Sequence, residues 1–117
     1  EKIVGHILLT KLKIRSENQQ FESLSLAPVA VLPSYQRQGI GAMLIEYAHQ
    51  VARNLGYTAV ILVGHENYYP RFGYKPASTF GISFPFEVPD ANAMAVELVD
   101  SGLQGISGEV VYPKEFF

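Results

Sequence analysis

The chain has 117 residues (12.9 kDa), 48% hydrophobic and 17% charged, so it can bury one sizeable core, and disordered and coiled-coil classes are excluded. Its net charge of −2 comes from nine dispersed Lys and Arg against eleven Asp and Glu, which argues against nucleic-acid binding and for a small-molecule ligand. The absence of Cys excludes disulfides, thiolate metal sites and a cysteine nucleophile, and fits a reducing, cytoplasmic compartment.

In chain order, residues 3–9 read as a buried strand, and Lys11-Leu12-Lys13-Ile14-Arg15 continues with the strict alternation of a half-exposed strand. The chain enters that apolar run two residues after Glu1 and has no initiator Met, which predicts one domain, residues 1–117, incomplete at its N-terminus. Ser16-Glu17-Asn18-Gln19 is a turn. Residues 21–31 return as a long strand, with Phe21, Ser23, Ser25 and Ala27 on one face and Glu22, Leu24 and Leu26 on the other. Pro28 cannot donate to a ladder, so the strand is expected to splay or bulge there, freeing the main chain of Val29, Ala30 and Val31. From Gly39 the apolar residues Ile40, Leu44, Ala48, Val51 and Leu55 fall at helical spacing, closed by Asn54 and Gly56. Residues 58–63 are an apolar, β-branched run bounded by Gly64, the pattern of a strand covered on both faces. Strand, glycine turn, helix and strand make a βαβ unit. A short helix within 65–72, an extended segment from Tyr74, a Phe- and Pro-rich loop over 76–89, a strand over 94–99 and a Gly- and Tyr-containing tail follow. The longest purely apolar run, 59–63, is far short of the ~20 residues of a membrane helix, so no bilayer span is predicted.

The turn Gln36-Arg37-Gln38-Gly39-Ile40-Gly41-Ala42 lies between a strand end and a helix start, where free backbone N–H groups and the positive end of the helix converge. Glycines let an anion approach, a diphosphate suits several main-chain donors, and Arg37 adds charge from the rim; the same glycines also serve plain turn packing. There is no Gly-Lys-Ser/Thr for a P-loop, and no third glycine with an acidic residue about twenty on for a dinucleotide fold. Tyr69 is either a core aromatic or a proton donor, and Tyr68 reads as packing. Residues 80–89 read as a core cover, an acceptor cover or a protein contact. Glu22, Glu66 and His65 are candidate bases by chemistry alone, while His6 and His49 read as structural. No histidine pair has zinc-ligand spacing, so no metal is expected.

The string Gln-x-x-Gly-x-Gly, following a strand with Ala-Val-Leu-Pro and Tyr35, resembles the acyl-CoA-binding motif of the GNAT superfamily of N-acetyltransferases. Tyr69-Pro70-Arg71-Phe72-Gly73-Tyr74 resembles the superfamily's second signature, Tyr-x-x-x-Gly-Phe, with Tyr in place of the final Phe. Leu26-Ala27-Pro28-Val29-Ala30-Val31, Tyr68-Tyr69 and residues 102–117 look most like the bacterial YhbS-like branch. The chain departs from the common pattern in having Leu62 seven residues before the tyrosine, where an Asn is usual; Asn67 lies only two before it.

The resemblance implies a mixed α/β GNAT fold, a splayed and mostly antiparallel sheet with packed helices, whose first strand and first two helices are absent from this sequence. It implies acetyl-CoA as cosubstrate, with pantetheine against the main chain of Val29, Ala30 and Val31. The diphosphate falls to the N–H groups of Gln38, Gly39, Ile40, Gly41 and Ala42, with Gln36 and Arg37 completing the motif. A neutral primary amine, on a small molecule or peptide, attacks the thioester directly. Val29 or Val31 N–H polarises the carbonyl and Tyr69 protonates the leaving thiolate. A homodimer is compatible with this reading. The alternatives are a longer acyl-CoA as donor, or a non-catalytic acyl-CoA-binding or interaction module.

Overall fold

The computed structural model describes residues 5–6, 8–26, 30–31 and 39–113. Each strand of the expected N-terminal hairpin is divided in two. The first comprises β1 (Gly5–His6) and β2 (Leu9–Arg15), the second β3 (Gln20–Leu26) and β4 (Ala30–Val31). β2 and β3 pair antiparallel from Leu9↔Leu26 to Arg15↔Gln20, and Ser16 N–H donates to Gln19 O at 2.9 Å across the turn. β1 and β4 pair in a separate two-stranded sheet, Gly5↔Val31 and His6↔Ala30. Two residues separate the ladders on the first strand and three on the second, so the register changes by one between the sheets. The splay or bulge expected at Pro28 itself lies outside the described residues.

Helix α1 (Ile40–Asn54) and β5 (Ala59–Val63) complete the βαβ unit. The buried stripe of α1 is Ile45, Ala48, His49 and Ala52, rotated from the expected one, and Leu55 caps the helix at 66% exposure. The small side chains of Ala48 and Ala52 face the sheet and permit close approach, so size rather than hydrophobicity alone selects the inner face.

β6 (Lys75–Pro76), β7 (Ile82–Ser83), β8 (Ala93–Glu97) and β9 (Gly108–Val111) join a seven-stranded sheet of order β6-β8-β5-β3-β2-β9-β7. The β3–β5 and β7–β9 pairs are parallel and the other four antiparallel, the mixed, mostly antiparallel sheet expected. The tail contains β9, a four-residue strand too short to carry a periodic signal, recruited by β2 through Ile14↔Val110. The last central strand is shifted to 93–97. The helix expected within 65–72 is only a 3-10 turn, Tyr69–Phe72, ended by Gly73. The 76–89 loop contains a second such turn, Ala77–Phe80.

Both faces of the sheet are covered. Leu24, Leu26, Val60, Leu62, Met94 and Val96 pack under α1, while Leu12, Ile14, Ile61, Ala95 and Val110 pack with Ile82 and Leu103 on the other side. Val60 and Ile61 have no exposed surface, each such burial being worth about 1.5–3 kcal/mol. Among the described residues, no helix is long and apolar enough to cross a membrane.

Candidate functional site

The parallel β3–β5 register consists of Leu24↔Val60 and Ser25↔Ile61. Beyond it β5 runs on to Val63 beside β8, while β4 belongs to the other sheet with β1. The two central strands therefore part at their carboxyl ends. At the opposite end Arg53 Nε donates to Leu98 O at 2.6 Å, and Leu98 N–H to Thr58 O at 2.8 Å. These bonds anchor the last turn of α1 near the start of β5, and the 15-residue helix, about 22 Å long, carries its N-terminus back toward the opening.

That N-terminus is built on Gly39, whose φ of 78° lies in the left-handed region that favours glycine. Gly39 O accepts from Met43 N–H at 3.0 Å, and no acidic residue stands in the first turn. Helical geometry provides no acceptor within the helix for the N–H groups of Ile40, Gly41 and Ala42, and the helix dipole adds positive potential there. Of the other residues expected to hold a cosubstrate, Ala30 and Val31 form β4, whereas Val29, Gln36, Arg37 and Gln38 lie outside the described residues.

The other side of the opening is the end of β5. Gly64 N–H donates to Asn92 O at 2.9 Å, and Asn92 Nδ2 donates back to Gly64 O at 3.0 Å. A side chain at Gly64 would collide with the ring of Tyr69. Tyr69 is 8% exposed and sits in a turn held by several bonds. His65 O accepts from the N–H groups of Tyr68 and Tyr69 at 3.1 and 3.4 Å, and Arg71 Nε donates to Tyr68 O at 3.0 Å. The Arg71 guanidinium lies 4.7 Å over the Tyr68 ring. Asn67 N–H donates to His65 Nδ1 at 3.2 Å, so Asn67 belongs to the same turn.

Behind Tyr69 lies a buried polar pair that sequence reasoning missed. Tyr69 meets Tyr68 and Tyr74 edge-on, with ring centroids 5.2 and 5.7 Å away, and the Tyr74 hydroxyl is 2.8 Å from His49 Nε2. Burial, and secondarily the Arg53 charge, lower the His49 pKa from 6.5 to about 4. Burial, and secondarily Tyr69, push the Tyr74 phenol well up. The only signal in the sequence was Tyr74 itself, a hydroxyl where the related signature has none. Gly64 and Asn92 left no signal beyond a strand end and a loop.

Of the candidate bases, Glu22 stands near the start of β3 opposite Lys13, away from the opening, whereas His65 and Glu66 are exposed in the segment that precedes Tyr69. On the face away from α1, a groove of about 660 Å³ is lined by Phe84, Phe86, Glu87, Asp90 and Ala93 among others; Ala93 pairs with Val63 at the end of β5. The described residues contain no group of three His, Cys, Asp or Glu able to hold a metal ion.

The model of the acetyltransferase (GNAT) domain matches residues 1–76. This chain belongs to the GNAT family. Over 90 residues it is 39% identical to the uncharacterized N-acetyltransferase YjhQ of Escherichia coli K12, a match covering 76% of this chain and half the length of YjhQ. Over 115 residues it is 25% identical to the uncharacterized N-acetyltransferase YhbS of the same strain, covering 98% of this chain and 68% of YhbS. The fold matches that of E. coli YhbS crystallised with CoA, with a TM-score of 0.89 at 24% identity over 97% of this chain and 62% of that one. A GNAT family acetyltransferase of Brucella melitensis, crystallised with acetyl-CoA, matches with a TM-score of 0.71 at 27% identity, over 97% of this chain and 61% of that one. The splayed sheet is thus the GNAT fold that the two motifs implied.

Proposed function

We propose that the chain transfers the acetyl group of acetyl-CoA to a primary amine, by direct attack within a complex of both substrates. The observation that carries this reading is the opening between β3 and β5, with the α1 N-terminus on one side and Tyr69 on the other. Complexes of the YhbS and Brucella proteins with CoA and acetyl-CoA support the choice of ligand. The diphosphate would accept from the N–H groups of Gln38, Gly39, Ile40, Gly41 and Ala42, with Arg37 and Gln36 at the rim. Pantetheine would pair with the main chain of Val29, Ala30 and Val31 as an added strand does.

The amine nitrogen attacks the thioester carbon while an N–H of Val29 or Val31 stabilises the oxygen as it gains charge. The C–S bond then breaks, the thiolate takes the Tyr69 hydroxyl proton, and the proton shed by the amine leaves through water that restores the phenol. The products are an amide and free CoA. The groove with Glu87 and Asp90 is of a sign to attract a cationic acceptor, which supports an amine, small or peptidic.

Calorimetric titration of the intact chain tests the reading. Acetyl-CoA is expected to bind at micromolar concentration, about −8 kcal/mol, and a screen of primary amines is then expected to yield turnover. Tighter binding and faster transfer of a longer acyl-CoA would reassign the donor. Absence of binding at millimolar acetyl-CoA would overturn the reading in favour of an interaction module.

A further inference from the structure

Tyr74 carries a hydroxyl into the core under α1, and the side chain is only 2% exposed. A buried hydroxyl without a partner is costly, and this one is met by His49 Nε2 at 2.8 Å. His49 is the one ionisable side chain on the buried face of α1 and is itself 5% exposed. A Leu and a Phe of similar size would pack such a core at least as well, because replacing both polar partners by apolar groups is often neutral for stability. The pair therefore invites an explanation other than folding, and its neighbour supplies one. The Tyr74 ring is tilted 45° to His49 at 5.5 Å and stands nearly perpendicular to Tyr69 at 5.7 Å. Tyr69 meets Tyr68 on another edge, and its ring occupies the space that any side chain at Gly64 would need.

We infer that His49 and Tyr74 are a positioning pair for Tyr69, fixing its ring from the helix side and keeping fixed dipoles beside it where an apolar core would only desolvate it. Desolvation alone makes a phenol a poorer acid, because the phenolate loses its solvation. The hydroxyl of Tyr74 and the neutral imidazole of His49 replace part of that solvation with dipoles that need no reorganisation. The ionisable groups acting on the pair are Arg53 on α1, beside His49, and Tyr69, beside Tyr74, while Tyr68 meets Tyr69 on its other edge. The inference rests on the reading of Tyr69 as proton donor and adds the residues that keep it competent.

The test is the titration of Tyr69 in the intact chain labelled with 13C at tyrosine Cζ, its signal assigned by its loss in Tyr69→Phe. In the double variant His49→Leu/Tyr74→Phe, which orphans neither polar group, the Tyr69 midpoint is expected to rise by at least half a pH unit. Tyr74→Phe alone is expected to move it the same way and serves if the double variant fails to fold. A pair that only filled space would leave the midpoint unchanged, or lower it by admitting water, and either result overturns the inference, as does indistinguishable behaviour up to pH 12. Failure of the functional reading shows elsewhere: Tyr69→Phe would then transfer acetyl groups to an active amine as fast as the parent chain, whatever the titration gives.

Discussion

Tyr69 depends on a residue that has no side chain. Gly64 leaves the space in which the Tyr69 ring lies, so Gly64→Ala must displace the ring or the end of β5. Such overpacking is expected to cost about 1–3 kcal/mol, read as a lower melting temperature, and to reduce turnover more than acetyl-CoA affinity. Tyr69→Phe separates chemistry from packing, because it removes only the hydroxyl. Turnover is expected to fall by about 100-fold or more, the scale of a general acid, with the acetyl-CoA Kd within about twofold. An unchanged kcat would remove Tyr69 from the reaction. Tyr69 could be picked from its motif, but Gly64 read only as the end of a strand. Its importance arises because the His65–Tyr69 turn folds the ring back over it, and no local pattern encodes that contact.

At the scale of elements, the cosubstrate site is a helix start offered to an opening between strands. Gly41→Val adds bulk beside the first-turn N–H groups, so acetyl-CoA affinity is expected to drop at least about tenfold by calorimetry. Equal affinity would reject the assignment of the diphosphate to this turn. The helix and β5 were legible because their patterns are strong over many residues. Apolar spacing alone predicts an inner face of α1 one step away from the buried one, which keeps Ala48 but takes in His49 and Ala52, because small size and closeness to the sheet count as well as apolar character. β9 was missed for a related reason: four residues beginning with glycine become a strand only because β2 presents a free edge to them.

For the molecule as a whole, the buried histidine sets an acid limit on stability. The folded state holds the His49 pKa down to about 4 from 6.5, so it resists a proton that the unfolded chain accepts. The stability this represents is fully present above about pH 6.5 and is lost progressively as pH falls toward 4, amounting to about 3 kcal/mol. Denaturant unfolding between pH 7 and 4 is expected to show that loss, and His49→Leu/Tyr74→Phe is expected to flatten it. An equal slope in the double variant would assign the acid sensitivity to other groups. The βαβ unit, the glycine that opens α1 and the tyrosine turn after β5 are legible in the residues alone. Each is written in residues close along the chain, where spacing, proline and glycine fix the backbone directly. The register offset between the two sheets, the Gly64–Asn92 clamp across 28 residues and the His49–Tyr74 bond across 25 arise instead from the packed chain. Those depend on which faces the packed elements turn toward one another, a choice made by the shape of the whole core.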